Sequence, residues 1–599
     1  MTRAGTRPEG KPRAAILVGL AVSFVIAIDA IRLIRAELLV DPEPSWAVVR
    51  LFLIVLVVSI SAAAGAFASA AFLFWSRTRL SGENPPPLAL RRGAIGVFTV
   101  GAIVLAAVFR FVALDRLPPV LYIDEVCLVP PALALEGSWH DLRDSVRFLP
   151  VASGVRSADP VIGVIYLEGY RLLLKLWGVT VFGIRFHVAF FGTLSVLTTA
   201  LLARSLLPRG GGMLAAVALA GLRWSLILSR FGWNALALAP IADLSALILL
   251  RARRRASLPA AFAGGLVAGI GTQVYLGSWI VALALGGFLL WPQPQSVALL
   301  RRTRLVLVFF GGFLLVASPV LFLRKDHSQS YFARASDQNL LRDMHRKKSW
   351  MPGLAVAADS FQAPWFVPDP LPRQDLPKSR LGWLVGVPLA VGFLRALRNP
   401  REDLSALLFS HAGAAGAACL YWGQPGHPNG LRFAYLTTLT AVGAAAGALW
   451  LAGLAPPFLR RSAGWVAVGG LAISSILGAR DALLVWADSP RTFRAFDGAN
   501  TLLAREALRW ERYGTVDVDP SFARSLTYRV VHDYRLDPDS EPGLLLGRPA
   551  GVGKNQGLCF RIVPSGASRE RGERPVEVIS DSLVKDGAVI LGRAVCARP

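Results

Sequence analysis

The chain has 599 residues, of which 54% are hydrophobic and 17% are charged, and its formal net charge is +25 at pH 7. This composition is typical of a polytopic membrane protein and argues against a series of soluble domains. The positive charge lies in short arginine clusters between apolar runs, with no basic stripe interleaved with aromatic residues, so the pattern argues against nucleic-acid binding.

Apolar runs long enough to cross a bilayer recur along the chain, and we predict about thirteen transmembrane helices from their lengths. Their approximate positions are 14–34, 46–75, 93–113, 181–203, 211–228, 234–250, 258–274, 276–292, 305–323, 381–397, 404–421, 431–452 and 464–487. The first run follows basic residues but has no convincing cleavage site, so we interpret it as an uncleaved membrane helix. The predicted fold class is an all-α polytopic membrane protein.

Arginine-rich connections alternate with less basic ones, which predicts the side of the membrane on which each lies. The basic connections include Arg91 and Arg92, Arg204 and Arg209, the cluster 251–255, the cluster 301–304, and the stretch 395–401. This pattern predicts a multi-pass protein of the plasma (inner) membrane with a cytoplasmic N-terminus. The outer face then receives the loops 114–180 and 324–380 and the tail 488–599.

The predicted domains follow from this topology. Residues 1–92 form an N-terminal region with two extra membrane helices, residues 93–487 form the transmembrane core with its two outer loops, and residues 488–599 form a small extracytoplasmic α/β domain. In that tail an amphipathic helical stretch near 492–513 precedes alternating segments such as "GTVDVD", "LCFRIV" and "VEVIS", which predict strands.

Two adjacent acids, Asp124 and Glu125, lie in the first outer loop, within the apolar frame "LPPVLYIDEV" that contains Tyr122. A carboxylate held at the membrane surface is partly desolvated, which raises its pKa and makes it a better proton acceptor at neutral pH. The competing interpretation is an acid pair bonded to the loop backbone or to a basic residue.

Other polar residues lie at the predicted outer ends of helices. The segment 158–178 has helical spacing and is interpreted as an interfacial helix. Arg185 either extends to lipid headgroups or binds an anionic group, for which a guanidinium suits phosphate oxygens. Further candidates come from three outer turns: Arg230 and Asn234, then Tyr275, then His427, Asn429 and Arg432. Polar groups that meet at one mouth of a helical bundle favour a functional site.

Cysteine and histidine spacing does not indicate a zinc site. The four cysteines form no CxxC pair and the seven histidines form no HExxH pair. Cys559 and Cys596 lie in the same tail, where they either pair in an extracytoplasmic segment or remain separate small hydrophobic residues.

Taken in order, these segments resemble the GT-C superfamily of integral-membrane glycosyltransferases, in particular the branch of protein O-mannosyltransferases and lipid A aminoarabinose transferases. The resemblance rests on "YIDE", "YRLLLKLWGVTVFGIRF", "LSRFGWNALALAP", "VYLGS" and "NGLRFAY", and it covers roughly residues 93–490. The individual motifs are short, and their order and membrane side carry the resemblance.

The resemblance implies transfer of a sugar from a polyprenyl-phosphate carrier to an acceptor hydroxyl of a protein, lipid or glycan at the outer face, usually with inversion. By position, Asp124 would be the general base, Glu125 would position a substrate, and Arg185 would hold the carrier phosphate. Arg230 and Arg432 are further predicted phosphate-binding residues. The predicted substrate-binding residues are Tyr122, Asn234, Tyr275, His427 and Asn429.

Asn234 is a departure, because related enzymes often have an acid a few residues after the "SR" element. We therefore predict no required cofactor or metal, with a divalent cation at Asp124 and Glu125 as the alternative.

Two other functions compete with the transfer of a sugar. A transporter or lipid flippase of an envelope-glycan pathway predicts charged or broken helices at the bilayer midplane and an inverted repeat, and only Asp243 and Gly/Pro interruptions fit it. A membrane-anchored assembly protein leaves the acid pair and the arginine-bearing turns unexplained.

Overall fold

The structure is a computed structural model, and the residues it describes are 88, 90–135, 148–150, 161–293, 299–321, 340–351, 353, 356, 381–422, 432–487, 489–511, 515–536, 559–564, 574–579 and 588–593. Three predictions fall outside these residues: the first two membrane helices, the roles of His427 and Asn429, and the pairing of Cys559 with Cys596. Most of the outer loop 324–380 is outside them as well.

Helices occupy every predicted membrane span that falls within the described residues. In chain order the elements are α1 (Arg92–Phe111), α2 (Ile123–Val126), α3 (Val129–Leu133), β1 (Phe148–Pro150), β2 (Val161–Gly163), α4 (Val164–Trp177), α5 (Val181–Leu206), α6 (Gly211–Ala220), α7 (Arg223–Leu228), α8 (Leu238–Arg255), α9 (Leu258–Val274), α10 (Ser278–Leu290), α11 (Leu299–Leu321), α12 (Leu340–Lys347), α13 (Trp383–Arg398), α14 (Asp403–Trp422), α15 (Leu436–Leu454) and α16 (Arg460–Arg480).

Five helices are long and apolar enough to cross a membrane by length and composition. They are Arg92–Phe111, Val181–Leu206, Asn234–Arg255, Leu436–Leu454 and Arg460–Trp486. Three shorter apolar helices are α6, α9 and α10. The described chain is thus a multi-pass helical membrane protein, and the total of about thirteen spans stays a prediction.

The predicted span 211–228 is divided into α6 and α7 at Gly221. A Cβ atom at Gly221 would overlap the backbone carbonyl of Ser475 in α16, so the two chain segments touch there. The freed carbonyls of Leu219 and Ala220 accept hydrogen bonds from the guanidinium of Arg110 at 3.5 and 2.9 Å. A helix break inside a bilayer is tolerated when other groups satisfy the exposed carbonyls in this way.

Close backbone approach joins α13 to α15. A Cβ atom on Gly392 would overlap the carbonyl of Gly443, and one on Gly447 would overlap the carbonyl of Pro388. Glycines at such contacts let membrane helices pack by van der Waals contact, which replaces the hydrophobic driving force that is missing in lipid.

The basic connections meet at one end of the bundle. Arg253 and Arg254 both pair with Asp403, at 2.9 and 2.8 Å, and Arg254 also donates to the carbonyl of Ser205. The indole of Trp291 donates to the carbonyl of Pro400 at 2.6 Å. These contacts join connections that the charge pattern places on one side, whereas the side itself, cytoplasmic or external, stays a prediction.

The C-terminal region combines helices with a mixed sheet. Its elements are α17 (Pro490–Ala495), α18 (Gly498–Trp510), β3 (Thr515–Val518), α19 (Pro520–Ala523), α20 (Leu526–Asp533), β4 (Cys559–Pro564), β5 (Arg574–Ile579) and β6 (Ala588–Arg593). The strand order is β3-β4-β6-β5, with β3 parallel to β4 and the other pairs antiparallel. Three strands coincide with the alternating segments of the sequence, and β6 was not predicted. A separate domain in this region stays a prediction, and α18 packs directly on the first outer loop, as described below.

Candidate functional site

The two acids lie on α2, a single helical turn between the loop 113–121 and α3. Tyr122 precedes the turn in an extended conformation, and the carboxylate of Glu125 accepts a hydrogen bond from the Tyr122 backbone N–H at 2.8 Å. An acid at the third helical position commonly satisfies an unpaired N–H of the first turn. Asp124 and Glu125 therefore both lie where the helix dipole favours negative charge.

Glu125 is fully buried, and its carboxylate is surrounded by donors. Oε1 accepts from the backbone N–H of Gly232 at 2.7 Å and from Nε of Arg185 at 3.1 Å. Oε2 accepts from Tyr122, and from Nη2 of Arg185 at 3.4 Å. A buried charge is tolerated only when it is paired and hydrogen-bonded, and this one is both. The interpretation of an acid bonded to a basic residue and the loop backbone therefore describes Glu125.

Arg185 is also fully buried, so it does not extend to lipid headgroups. Besides the two bonds to Glu125, Nη1 donates to the carbonyls of Leu114 and Pro118 at 3.2 and 2.7 Å, and Nη2 donates to Val120 at 2.7 Å. These contacts occupy all five N–H groups of the guanidinium. In this structure Arg185 holds the acid and the loop before it, and a direct phosphate contact stays a prediction.

Arg230 has the same kind of surroundings. Its guanidinium is fully buried and donates to the carbonyls of Phe109 and Arg110 at the end of α1 and to those of Val112, Ala113 and Leu117 just beyond it. The distances lie between 2.9 and 3.2 Å. A cation at a helix C-terminus satisfies exposed carbonyls and the dipole together, so Arg230 fixes the end of α1.

Asp124 differs from its neighbour in exposure, because it is half-buried whereas Glu125 is inaccessible. A general base must come within hydrogen-bond reach of the proton that it takes, and the more accessible carboxylate of the pair is Asp124. Glu125 is thus buried and held by several hydrogen bonds, and Asp124 is the acid of the pair that solvent reaches.

Tyr122 lies in an aromatic cluster that covers α2. Its ring is 6.4 Å from that of Phe231 and 5.4 Å from that of Phe496, and Phe496 in turn packs on Trp486 at 5.6 Å. The tilted and edge-on arrangements are those that aromatic quadrupoles favour. Tyr122 is buried.

Two different outer turns bring Asn234 and Tyr275 to the same end of the bundle. The Asn234 amide donates to the carbonyl of Val274, the last residue of α9, and Asn234 is itself buried. Tyr275 packs its ring on Trp233 at 6.3 Å and is half-buried. Arg432 is half-buried, and its carbonyl lies 3.4 Å from where a Cβ atom of Gly277 would be. Of the predicted arginines, Arg432 is thus the one with an accessible side chain.

Several residues of this region were not predicted, because they come from α18 in the C-terminal region. Arg505 donates to the carbonyl of Pro119 at 2.9 Å, and Thr501 Oγ1 accepts from the backbone N–H of Leu121 at 3.4 Å. The residues joined by the second bond are 380 positions apart. No local pattern in the sequence signals such a contact, and the N–H group of Gly232 was missed for the same reason.

The acid pair is a poor site for a metal ion. Among the described residues no group of three or more His, Cys, Asp or Glu is placed to hold a metal ion. A divalent cation shared by Asp124 and Glu125 does not fit Glu125, whose two oxygens already accept four hydrogen bonds, two of them from a cation. The absence of a metal requirement stays a prediction.

Comparison with known proteins gives a fold similarity at low identity. No protein-family model matches the chain, and no curated protein matches it. Similar solved structures include the oligosaccharyltransferase of Archaeoglobus fulgidus in the apo form, at 12% identity and a TM-score of 0.46, which covers 76% of this chain and 65% of that one. Another is AglB from the same organism in complex with an inhibitory peptide and a dolichol-phosphate, at 12% identity and a TM-score of 0.46, covering 78% of this chain and 69% of that one.

A third similar structure is ArnT from Cupriavidus metallidurans bound to undecaprenyl phosphate, at 13% identity and a TM-score of 0.45, covering 85% of this chain and 100% of that one. The chain spans slightly less than two thirds of the length of the apo archaeal enzyme. These similarities concern the fold alone. With TM-scores below 0.5 they establish no activity, so the proposals below rest on the residues of this chain.

Proposed function

We propose that the protein is a glycosyltransferase of the plasma (inner) membrane that moves a sugar from a polyprenyl-phosphate carrier to an acceptor hydroxyl at the outer face. The acceptor is a hydroxyl of a protein, lipid or glycan. The N-terminus is cytoplasmic and the C-terminal region lies on the side of the acid pair. The observation that carries the proposal is the difference in exposure between the two acids, since Asp124 is half-buried and Glu125 is fully buried.

Asp124 is the general base of the proposed reaction. It takes the proton of the acceptor hydroxyl, whose oxygen forms a bond to the anomeric carbon as the bond between that carbon and the phosphate oxygen breaks. The bonding electrons leave with the polyprenyl phosphate, and a single displacement inverts the anomeric centre. Glu125 does not compete for the proton, because its oxygens are fixed by Arg185 and two backbone N–H groups.

Negative charge grows on the departing phosphate, and fixed cations stabilise such charge. Of the three arginines predicted to bind the phosphate, Arg185 and Arg230 are buried on carbonyls, whereas Arg432 is half-buried beside the turn 275–278. We therefore assign the phosphate contact to Arg432, and we assign to Arg185 and Arg230 the positioning of the loop that bears the base.

The test is Asp124→Asn, with Asp115→Asn as the matched control. Asp115 is a half-buried acid of the same outer loop. We expect Asp124→Asn to insert normally and to lower transfer from a labelled polyprenyl-phosphate sugar at least about 100-fold, the usual contribution of a general base. Asp115→Asn should retain activity. Wild-type activity in Asp124→Asn would remove Asp124 from the mechanism.

A further inference from the structure

Four buried side chains near the acid pair have polar atoms without a hydrogen-bond partner among the described residues. They are Tyr166, His187, Asn234 and Gln273, and their exposed fractions are 8%, 1%, 1% and 1%. The unpartnered atoms are the Tyr166 hydroxyl, both ring nitrogens of His187, the Asn234 carbonyl oxygen and both amide atoms of Gln273. Buried polar groups are nearly always hydrogen-bonded, so several unpartnered ones in one region point to a ligand.

These four side chains are neighbours, although they come from four different elements. The rings of Tyr166 and His187 are 5.8 Å apart. The Gln273 side chain fills the space where a Cβ atom of Gly163 would lie, three residues before Tyr166. The Asn234 amide bonds to Val274, the residue after Gln273. The elements that carry the four side chains, α4, α5, the turn before α8 and the end of α9, contact one another in pairs, and we call the four side chains the polar patch.

The polar patch lies beside a residue that holds Glu125. The His187 ring is close to the backbone of Ile184 and Gly232, without a hydrogen bond of acceptable geometry to either. Gly232 in turn donates to Glu125. The patch therefore adjoins Gly232, the residue whose N–H holds Glu125 on α2.

The chemistry of the patch suits uncharged hydroxyl groups. A phenol, an imidazole and two carboxamides supply both donors and acceptors. Burial raises the pKa of Tyr166, so its phenol stays a neutral donor. Arg185, the cation closest along the chain, directs all its N–H groups elsewhere, so a carboxylate on the ligand would be buried without a counter-ion.

We propose that Tyr166, His187, Asn234 and Gln273 form the subsite that binds the hydroxyls of the donor sugar, and that this sugar carries no carboxylate. The inference rests on the proposed function, because it takes the ligand to be a polyprenyl-phosphate sugar. A site built to hydrogen-bond a sugar hydroxyl discriminates strongly against a ligand that lacks it, since its own polar groups are then left unpaired.

The test is a binding measurement on the purified full-length protein, so it does not depend on transfer. The ligands are polyprenyl-phosphate mannose, polyprenyl-phosphate glucose and the sugar-free polyprenyl phosphate. We expect Gln273→Leu to weaken binding of at least one hexosyl form about 10-fold or more and to leave the sugar-free carrier unchanged. The matched control is Gln293→Leu, since Gln293 bonds to the Arg253 carbonyl at the basic end of the bundle. This variant should bind both ligand forms as the wild-type protein does.

If Gln273→Leu weakened binding of the hexosyl and the sugar-free carriers equally, or weakened neither, the proposed subsite would be wrong. A second measurement uses the wild-type protein alone and remains decisive if the variant does not fold. A hexosyl carrier should bind more tightly than the sugar-free carrier, and a carrier bearing glucuronic acid should not. Tighter binding of the glucuronic acid carrier than of the sugar-free carrier would overturn the inference. Discrimination between carriers without any transfer would instead refute the proposed function and leave the subsite standing.

Discussion

Two adjacent acids with the same chemistry have different surroundings in this protein. Glu125 has lost all contact with solvent and is held by Arg185, whereas Asp124 remains accessible one residue away. The sequence predicted the acid pair, and the resemblance assigned the base to Asp124. The hydropathy pattern did not show which acid is buried, because adjacent residues share one hydropathy environment. What separates them is the direction in which each side chain leaves a single helical turn, and that depends on tertiary packing.

Arg185→Ala distinguishes the positioning role of Arg185 from a phosphate-binding role. The variant leaves Glu125 buried without its partner, which typically costs about 3–5 kcal/mol of stability. We expect a lower unfolding temperature, with part of the loss recovered when Glu125→Gln is added, because the second change removes the unpaired charge. The readouts are thermal unfolding of the detergent-solubilised protein and the KM for the donor.

A different result would favour direct binding. If Arg185→Ala unfolded at the wild-type temperature and raised only the KM for the donor, Arg185 would contact the carrier phosphate. Adding Glu125→Gln would then not raise the unfolding temperature, because Arg185→Ala had not lowered it. The positioning role and the phosphate-binding role therefore predict different results.

At the scale of elements, arginine side chains cap the carbonyl ends of several helices. Arg110 bonds to carbonyls at the end of α6, Arg230 to those at the end of α1, and Arg253 to those of Phe288, Trp291 and Pro292 at the end of α10. Each guanidinium satisfies carbonyls that a helix end leaves unpaired and that lipid cannot hydrate. Lysine cannot replace it, because a single ammonium has three donors and no planar fork.

Arg230→Lys should therefore destabilise the protein although the charge is kept. Five carbonyls accept from Arg230, and an ammonium with three donors leaves at least two with weaker or no bonds, at about 1–3 kcal/mol for each buried group left unpaired. Thermal unfolding measures the loss. The control is Arg301→Lys at an exposed position of α11, which should unfold at the wild-type temperature. Equal unfolding temperatures for the two variants would refute the capping role.

Hydropathy predicted the helices well, and it did not predict what the arginines do. A run such as 181–203 is apolar along its whole length, so its helix follows from local composition. Arg185 and Arg230 near helix ends fit a headgroup contact, an anion site and a carbonyl cap equally well as sequence patterns. The break at Gly221 also had no local signal, because it depends on the approach of Ser475 from α16.

At the scale of the whole molecule, the C-terminal region completes the proposed site. Arg505, Thr501 and Phe496 contact Pro119, Leu121 and Tyr122, the residues that lead into α2. The sequence predicted helix and strands in this region, and gave no indication that the first helices cover the outer loop. The contact joins distant parts of the chain, whereas periodicity reports only on neighbours.

Phe496→Ala should loosen the loop that bears Asp124 without unfolding the membrane helices. The change removes ring contacts with Tyr122, Phe231 and Trp486. We expect faster tryptic cleavage at Arg116, which is exposed in that loop, together with a lower kcat. The control is Phe522→Ala in α19, a half-buried residue of the same region, which should leave both quantities unchanged. Wild-type cleavage at Arg116 in Phe496→Ala would show that the C-terminal contact does not hold the loop.

The bond between Leu121 and Thr501 also has a consequence for biosynthesis. A ribosome that adds about 5–20 residues per second needs roughly 20 to 80 seconds to make the 380 positions that separate the two residues. During that interval the loop with Asp124 has been made, but α18, the helix that contacts it, has not been translated. During synthesis the loop with Asp124 is thus present before the helix that it contacts, and on the proposed function the site is complete only after α18 has been made. For a chain cut short before α18 we expect inserted helices and no transfer of sugar.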